Sequence, residues 1–307
     1  MMGIQMKVQL GSLELENPVM IASGTGGYGL EMERWIDISR PGAIVVKGLS
    51  PEPRLGNPPP RIVETASGLL NSIGLENIGV EKFVREVIPA LEGKGATVLG
   101  NVYGTSVKEF VLVSRKIEEA GGVAALELNL SCPNVKAGGL VFGRDPVQSA
   151  RVIAAVKEAV DLPVLAKLTP SVSDITQPAL ACEEAGADAL TVANSYPGMA
   201  VNLETGRPVL GQNFGGLAGP CIKPLALRLV WEASQAVNIP VVGCGGITTW
   251  QDALEFVIAG AHAIQIGTAN LVNPLASLKI IDGIREYLHR QGMDSVSSIR
   301  GTLRLNS

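Results

Sequence analysis

The 307 residues exceed one average domain but suit a single α/β barrel, which typically takes about 250. Hydrophobic residues make up 46% and aromatic ones only 4%, so the core is built from Val, Ile, Leu and Ala, as buried parallel strands favour. A formal net charge of −4, with no run of Lys and Arg, excludes the usual nucleic-acid and polyanion binders.

In chain order, Lys7 to Leu10 and Leu13 to Glu16 alternate around Gly11 and Ser12 and predict a β-hairpin. Short apolar strands follow at 18–23, 43–47, 97–101, 124–130, 163–168, 189–193, 240–242 and 263–266. Helical patterns lie between and after them, at 31–39, 81–92, 105–120, 146–160, 174–185, 222–236, 250–259 and 274–289. Strand–helix alternation implies parallel βαβ units, and eight of them predict a closed (β/α)8 TIM barrel. Quasi-repeats support this: Ala185-Gly186-Ala187-Asp188-Ala189 resembles Ala259-Gly260-Ala261-His262-Ala263, each leaving a helix and entering a strand. No linker interrupts the pattern, so residues 1–307 read as one domain. The Pro- and Gly-rich stretch 48–80 reads as a long loop at the functional end of the barrel.

The run from Met1 to Leu10 has no apolar signal-peptide core, and no apolar stretch approaches the roughly 18 residues of a spanning helix. A cytoplasmic protein with no membrane anchor is expected. Four scattered cysteines, with no Cys-x-x-Cys pair, give neither a disulfide framework nor zinc or iron–sulfur spacing, and no metal site is expected. Gly24-Thr25-Gly26-Gly27-Tyr28-Gly29 matches the dinucleotide fingerprint, but the acidic residue that should hold the ribose is missing. The run reads as a glycine-rich first loop, and the chain shows no NAD site of its own.

In a barrel, chemistry sits at the carboxyl ends of the strands. Those ends carry Ser23, Lys47, Asn101, Asn129, Lys167, Asn194, Gly245-Gly246 and Gly267-Thr268. None is a carboxylate, which disfavours divalent-metal and glycosidase chemistry. His262, in a helix-to-strand join, and His289, in the last helix, read as structural. The glycines at the last two strand ends, with the Thr268 hydroxyl, suit a phosphate, carried by a phosphorylated substrate or by flavin mononucleotide (FMN). Lys167, inside an apolar strand, needs a partner or a function. It could form a Schiff base, or it could offset the negative charge of a reduced flavin. Cys182 reads as helix packing and Cys221 as a residue near a helix start. Cys132, in a polar strand-end loop, is a candidate general base; Cys244 also ends a strand but reads as packing among glycines, and on these grounds the choice stays open.

The run Asn129-Leu130-Ser131-Cys132-Pro133-Asn134-Val135-Lys136, with Gly138-Gly139 and Phe142-Gly143 after it, resembles the catalytic loop of class 1 dihydroorotate dehydrogenases. Asn71-Ser72-Ile73-Gly74-Leu75 and the run 215–224 match further segments of that family, and the likeness spans nearly the whole chain. The continuation after Asn134 is similar to the NAD-linked subclass, 1B. The resemblance implies Cys132 as the catalytic base. It implies FMN held by Ser23, Lys47, Gly48, Asn101, Asn129, Lys167, Val192, Gly219, Gly245, Gly246, Gly267 and Thr268. It implies dihydroorotate held by Lys47, Asn71, Ser72, Ile73, Gly74, Leu75, Asn129, Asn194 and Ser195, where Ser195 stands in place of the family's Thr. It further implies a homodimer of this chain joined to two copies of an electron-transfer subunit, which carries FAD and a [2Fe–2S] cluster and passes electrons to NAD. Two enzymatic rivals remain: a lyase or aldolase using Lys167 as a Schiff base, and a flavin reductase of another dihydropyrimidine. A binding barrel without catalysis is the third alternative.

Overall fold

A computed structural model describes residues 4–131 and 142–306. Eight short strands close one parallel barrel in chain order: β1 (Val19–Ile21), β2 (Ala43–Val45), β3 (Val98–Val102), β4 (Ala125–Asn129), β5 (Val164–Lys167), β6 (Ala189–Val192), β7 (Val241–Cys244) and β8 (Ala263–Ile266). Their register runs continuously, with Asn101 opposite Glu127, Asn129 opposite Lys167, Thr191 opposite Lys167, and Ile264 of β8 closing onto Val19 of β1. Parallel neighbours need a long crossover, and amphipathic helices supply it, burying the outward strand residues beneath them. Leu126 and Leu128, for instance, have no exposed surface.

Some of the crossover helices begin at side-chain caps. The Ser106 side chain accepts from the Glu109 N–H ahead of Val107–Ala120, and Asp145 accepts from Val147 at Pro146–Ala159. Thr249 and Asp252 form a reciprocal capping box at Trp250–Ile258. Two helices differ from the sequence expectation. At 31–39 only a 3-10 turn, Leu30–Arg34, forms. Asp37 draws the Ser39 N–H and hydroxyl into a local turn that competes with continued helix. At 81–92 the helix is present but takes a π-turn over Phe83–Val87. Pro89, two residues beyond Val87, has no N–H to give to an ordinary α register.

The hairpin is present as Val8–Leu10 and Leu13–Leu15, with Leu10 paired to Leu13. Gly11 backs onto Asp188, one residue ahead of β6, so the hairpin lies at the amino-terminal end of the strands. His262 sits at that same end, its N–H bonded to the Val241 carbonyl. Burial, aided by Arg300, pushes its imidazole down to about 4, so it is neutral at pH 7 and remote from the carboxyl ends. Among the described residues no helix is long and apolar enough to cross a membrane.

The opposite end carries a feature that short, glycine-rich runs hid from the sequence. Ile62–Thr65, Gly68–Asn71, Tyr196–Gly198 and Gly215–Ala218 form a four-stranded antiparallel sheet, joining the loop after β2 to the loop after β6. Gly68–Asn71 pairs with Gly215–Ala218, bringing Asn71 opposite Gly216. The barrel core itself is tightly filled, so truncation inside it is costly. Leu128→Ala should lower stability by about 2–5 kcal/mol, measured by urea unfolding.

Candidate active site

The carboxyl ends of the strands and the four-stranded sheet enclose one cavity. Lys167 forms part of its floor, with Ala193 and Cys244 beside it. One wall carries Ile62, Leu69, Asn71 and Ile73 from the loop after β2, with Asn194 and Ser195 from the end of β6. The facing wall is backbone-rich: Gly219, Gly245, Gly246, Gly267 and Thr268, with Ser23 and Gly24 from the first loop. The structure thus gathers eleven of the sequence-derived positions: Ser23, Asn71, Ile73, Lys167, Asn194, Ser195, Gly219, Gly245, Gly246, Gly267 and Thr268.

Close backbone approach shapes the amide wall. A side chain on Gly216 would collide with the Ser195 hydroxyl, so glycine there lets the two loops meet. The Asn71 Nδ2 donates to the Gly216 carbonyl at 3.1 Å, and the Asn194 Oδ1 accepts from the Ser195 N–H at 2.7 Å. Asn71 keeps its Oδ1 and Asn194 its Nδ2 beyond these bonds, so each retains polar capacity for a ligand.

Other expected positions surround the cavity without lining it. Ser72 accepts from the Asn57 Nδ2 at 2.9 Å, Gly74 packs on Asn57, and the Leu75 carbonyl accepts from Asn77 at 2.8 Å. These contacts hold the loop behind Asn71 and Ile73, including Leu75 at φ 58°, a conformation an L residue adopts only under restraint. Val192 is fully buried within β6, and its neighbour Ala193 faces the cavity instead. Asn129 accepts from the Ser131 N–H, and the Ser131 hydroxyl donates to the Lys167 carbonyl, tying the start of the next loop to the floor strand. Lys47 lies 3.4 Å from Glu76, which Arg61 also engages at 3.0 Å. Cys132 lies outside the described residues.

Beneath the floor is a group that the pattern of strand ends does not reveal. Glu127, in β4, has no exposed surface, and its carboxylate accepts from four side chains. Oε1 takes Asn101 Nδ2 at 2.8 Å and Lys167 Nζ at 3.4 Å; Oε2 takes the Thr191 hydroxyl at 2.9 Å and the Gln265 amide. The expectation of a carboxylate-free site therefore needs correction: the strand ends lack acids, but the layer below holds one. The signal was present in the alternation. Glu127 stands between Leu126 and Leu128 and two residues before Asn129, so it shares the inward face of the strand. Thr191 and Gln265 stand in matching inward positions of β6 and β8.

The packing role expected for Cys244 also needs correction, because its residue lines the cavity. Burial pushes its thiol up, and the nearby Lys167 charge only partly opposes this. Cys244 is therefore protonated near neutrality, which is the wrong state for a base. Cys182, pushed up to about 12 by burial in its helix, fits the packing role.

FMN carries ring carbonyls, a ring N–H and a phosphate, and the residues present fit those groups. Asn101 Nδ2 is committed to Glu127, which leaves Asn101 Oδ1, beside Gly48, as a buried acceptor without a partner among the described residues. Such an acceptor calls for an N–H donor. Lys167 offers an N–H to a carbonyl, and the Gly245-Gly246 and Gly267-Thr268 backbones suit a phosphate.

A parallel barrel with a buried lysine floor, an amide wall and a glycine wall at its strand ends has the layout of a barrel enzyme, whose site is built at the carboxyl ends of its strands. Within that class, the chain belongs to the dihydroorotate dehydrogenase family, whose model matches residues 5–288. It is 50% identical to the catalytic subunit of dihydroorotate dehydrogenase B (NAD(+)) of Trichlorobacter lovleyi over 97% of this chain and 98% of that one. The subunit of the same name from Pelobacter propionicus is 49% identical, and that from Bacteroides thetaiotaomicron 47%, each over 97% of this chain and 98% of its own length.

The glycine wall is braced from behind by Asp252, which accepts from the Thr248 N–H and hydroxyl and from Lys223 at 2.7 Å. Burial alone would raise its carboxyl, but Lys223 and Thr248 outweigh burial and hold it well below the usual carboxylate range. Its stabilisation is therefore present above the unfolded value and is lost as pH falls through the depressed folded one. Asp252→Asn should cost about 1.5–3 kcal/mol at pH 7. In thermal unfolding scans the gap from wild type should narrow as pH drops below about 4.

Proposed function

We propose that the chain is the catalytic subunit of an NAD-linked dihydroorotate dehydrogenase, oxidising dihydroorotate to orotate in pyrimidine biosynthesis in the cytoplasm. The observation that carries this reading is the convergence, on one cavity, of the lysine floor, the amide wall and the glycine wall. When bound, FMN supplies the acceptor for the two electrons that leave the substrate as hydride. Lys167 presents an N–H to a ring carbonyl and offsets negative charge there. Gly245, Gly246, Gly267 and Thr268 hold the phosphate, with Ser23, Gly48, Asn101, Val192 and Gly219 completing the cofactor's surroundings.

Substrate recognition falls to Asn71, Asn194 and Ser195, with the loop Ser72 to Leu75 behind Asn71 and with Asn129 at the end of β4. A cyclic imide alternates N–H and C=O groups along its edge, and a carboxamide answers both. Ser195 keeps the hydroxyl of the threonine usual in this family. Lys47 supplies a cation for the substrate carboxylate, exchanging its contact with Glu76 for one with the ligand. Cys132 takes the proton from the carbon next to the ring carbonyl. A thiol with a reference pKa of about 8.5 needs only modest tuning to serve as a base near neutrality.

The dinucleotide-like run 24–29 lies in the loop after a barrel strand rather than in a Rossmann unit, so electrons bound for NAD need a second protein. The name "catalytic subunit" carried by the relatives supports such a partner. We assign to it FAD and a [2Fe–2S] cluster, in an assembly of two chains of each kind built on a homodimer of this one.

Purified chain should be yellow and should bleach anaerobically on adding dihydroorotate. Bleaching by dihydrouracil alone would favour another dihydropyrimidine as substrate. A colourless protein trapped by borohydride with a carbonyl compound would favour a Schiff base on Lys167. Cys132→Ala should retain FMN and lose about 10²–10⁴-fold in turnover, measured by stopped-flow bleaching. If Cys244→Ala showed that loss instead, the base would be misassigned.

A further inference from the structure

Lys167 sits 5% exposed at the cavity floor, with two of its three ammonium protons directed downward. One goes to Glu127 at 3.4 Å and one to the Gln265 Oε1 at 3.0 Å. Gln265 in turn donates its Nε2 to Glu127, so the amide and the carboxylate hold the ammonium from two directions. The third proton remains for whatever occupies the cavity.

We propose that Glu127 is a positioning residue, which keeps Lys167 charged and aimed at the ring carbonyl of the bound ligand. Glu127 touches no part of the cavity itself and acts through Lys167. An ammonium buried to this degree would ordinarily shed its proton. Burial, the largest single effect, pushes Lys167 down, but the Glu127 charge and hydrogen bond together with the Cys244 thiol outweigh it, and the net shift is upward. Asn101, Thr191 and Gln265 fill the remaining acceptor capacity of the carboxylate, so it has a fixed orientation rather than a choice of partners. Among the described residues, the titratable groups acting on the ammonium are Glu127 from β4 and the Cys244 thiol from β7. Burial pushes that thiol up, and of the two partners the Glu127 charge acts more strongly on the ammonium.

Two measurements on the full chain test this. The first is urea unfolding of Glu127→Gln, Lys167→Met and the double variant, and it needs no bound cofactor. Glu127→Gln should lower the unfolding midpoint more than the double variant does, because only the single variant leaves an uncompensated cation. Its deficit should shrink as pH rises from 7 to 9, where the stranded lysine loses its proton at little cost. Additive single effects, or a deficit that ignores pH, would overturn the proposal.

The second measurement rests on the flavin reading above: the FMN midpoint potential as a function of pH. In Glu127→Gln it should start at or above wild type at pH 6 and fall toward the Lys167→Met value by pH 9. Glu127→Asp, which keeps the charge, should restore most of the wild-type profile. A Glu127→Gln curve parallel to wild type would show a merely structural role and defeat the assignment. Absence of FMN from the wild-type chain would sink the proposed function instead, while the unfolding cycle would still decide the role of Glu127.

Discussion

A single carboxylate inside a closed barrel organises the floor on which everything else rests. Four strands send a side chain to Glu127: Asn101 from β3, Lys167 from β5, Thr191 from β6 and Gln265 from β8. In the low dielectric of a filled barrel, each of these groups would be costly alone and is acceptable only in company. The network therefore fixes strand register as well as charge. A one-residue slip of any of the four would turn its polar group outward beneath the helices and leave the others incomplete. The layer that places the lysine also helps to define the barrel that surrounds it.

Above this layer, the site divides its work between kinds of structure. Side chains form the floor and the amide wall, and they offer directional hydrogen-bonding groups there. Backbone forms the glycine wall, where several N–H groups can be offered at close range. Each wall has its own brace: Asn57 and Asn77 for the amide side, Asp252 with Lys223 for the glycine side. Neither brace touches the cavity, but both fix loops that would otherwise be free to drift.

The barrel was legible because its strands and helices announce themselves locally, by apolar runs, caps and breakers. The eight strands appear where β-branched runs stand between glycine and proline stops. Positions such as Lys167 and Asn194 were legible because polar residues at the ends of apolar strands have few structural reasons to be there. Glu127 was not, because attention to strand ends passes over the layer two residues below. The four-stranded sheet was also hidden. Its strands, such as Gly68–Asn71 and Gly215–Ala218, are short, rich in glycine and far apart in sequence, and only the closed barrel brings them together. The shortened helix at Leu30–Arg34 reflects a local competition that periodicity does not weigh.

The same sheet has a consequence for how such a site can change over evolutionary time. One wall of the cavity is woven from two loops that leave β2 and β6, strands on different sides of the barrel. Barrel enzymes are often said to diversify one loop at a time, since each loop hangs independently from its own strand. Here the loops share a ladder of backbone hydrogen bonds, and Ser195 fits only because Gly216 has no side chain. A replacement loop from another barrel would have to arrive with its pairing partner. The amide wall is therefore inherited as a unit, and it is harder to exchange loop by loop than the glycine wall opposite.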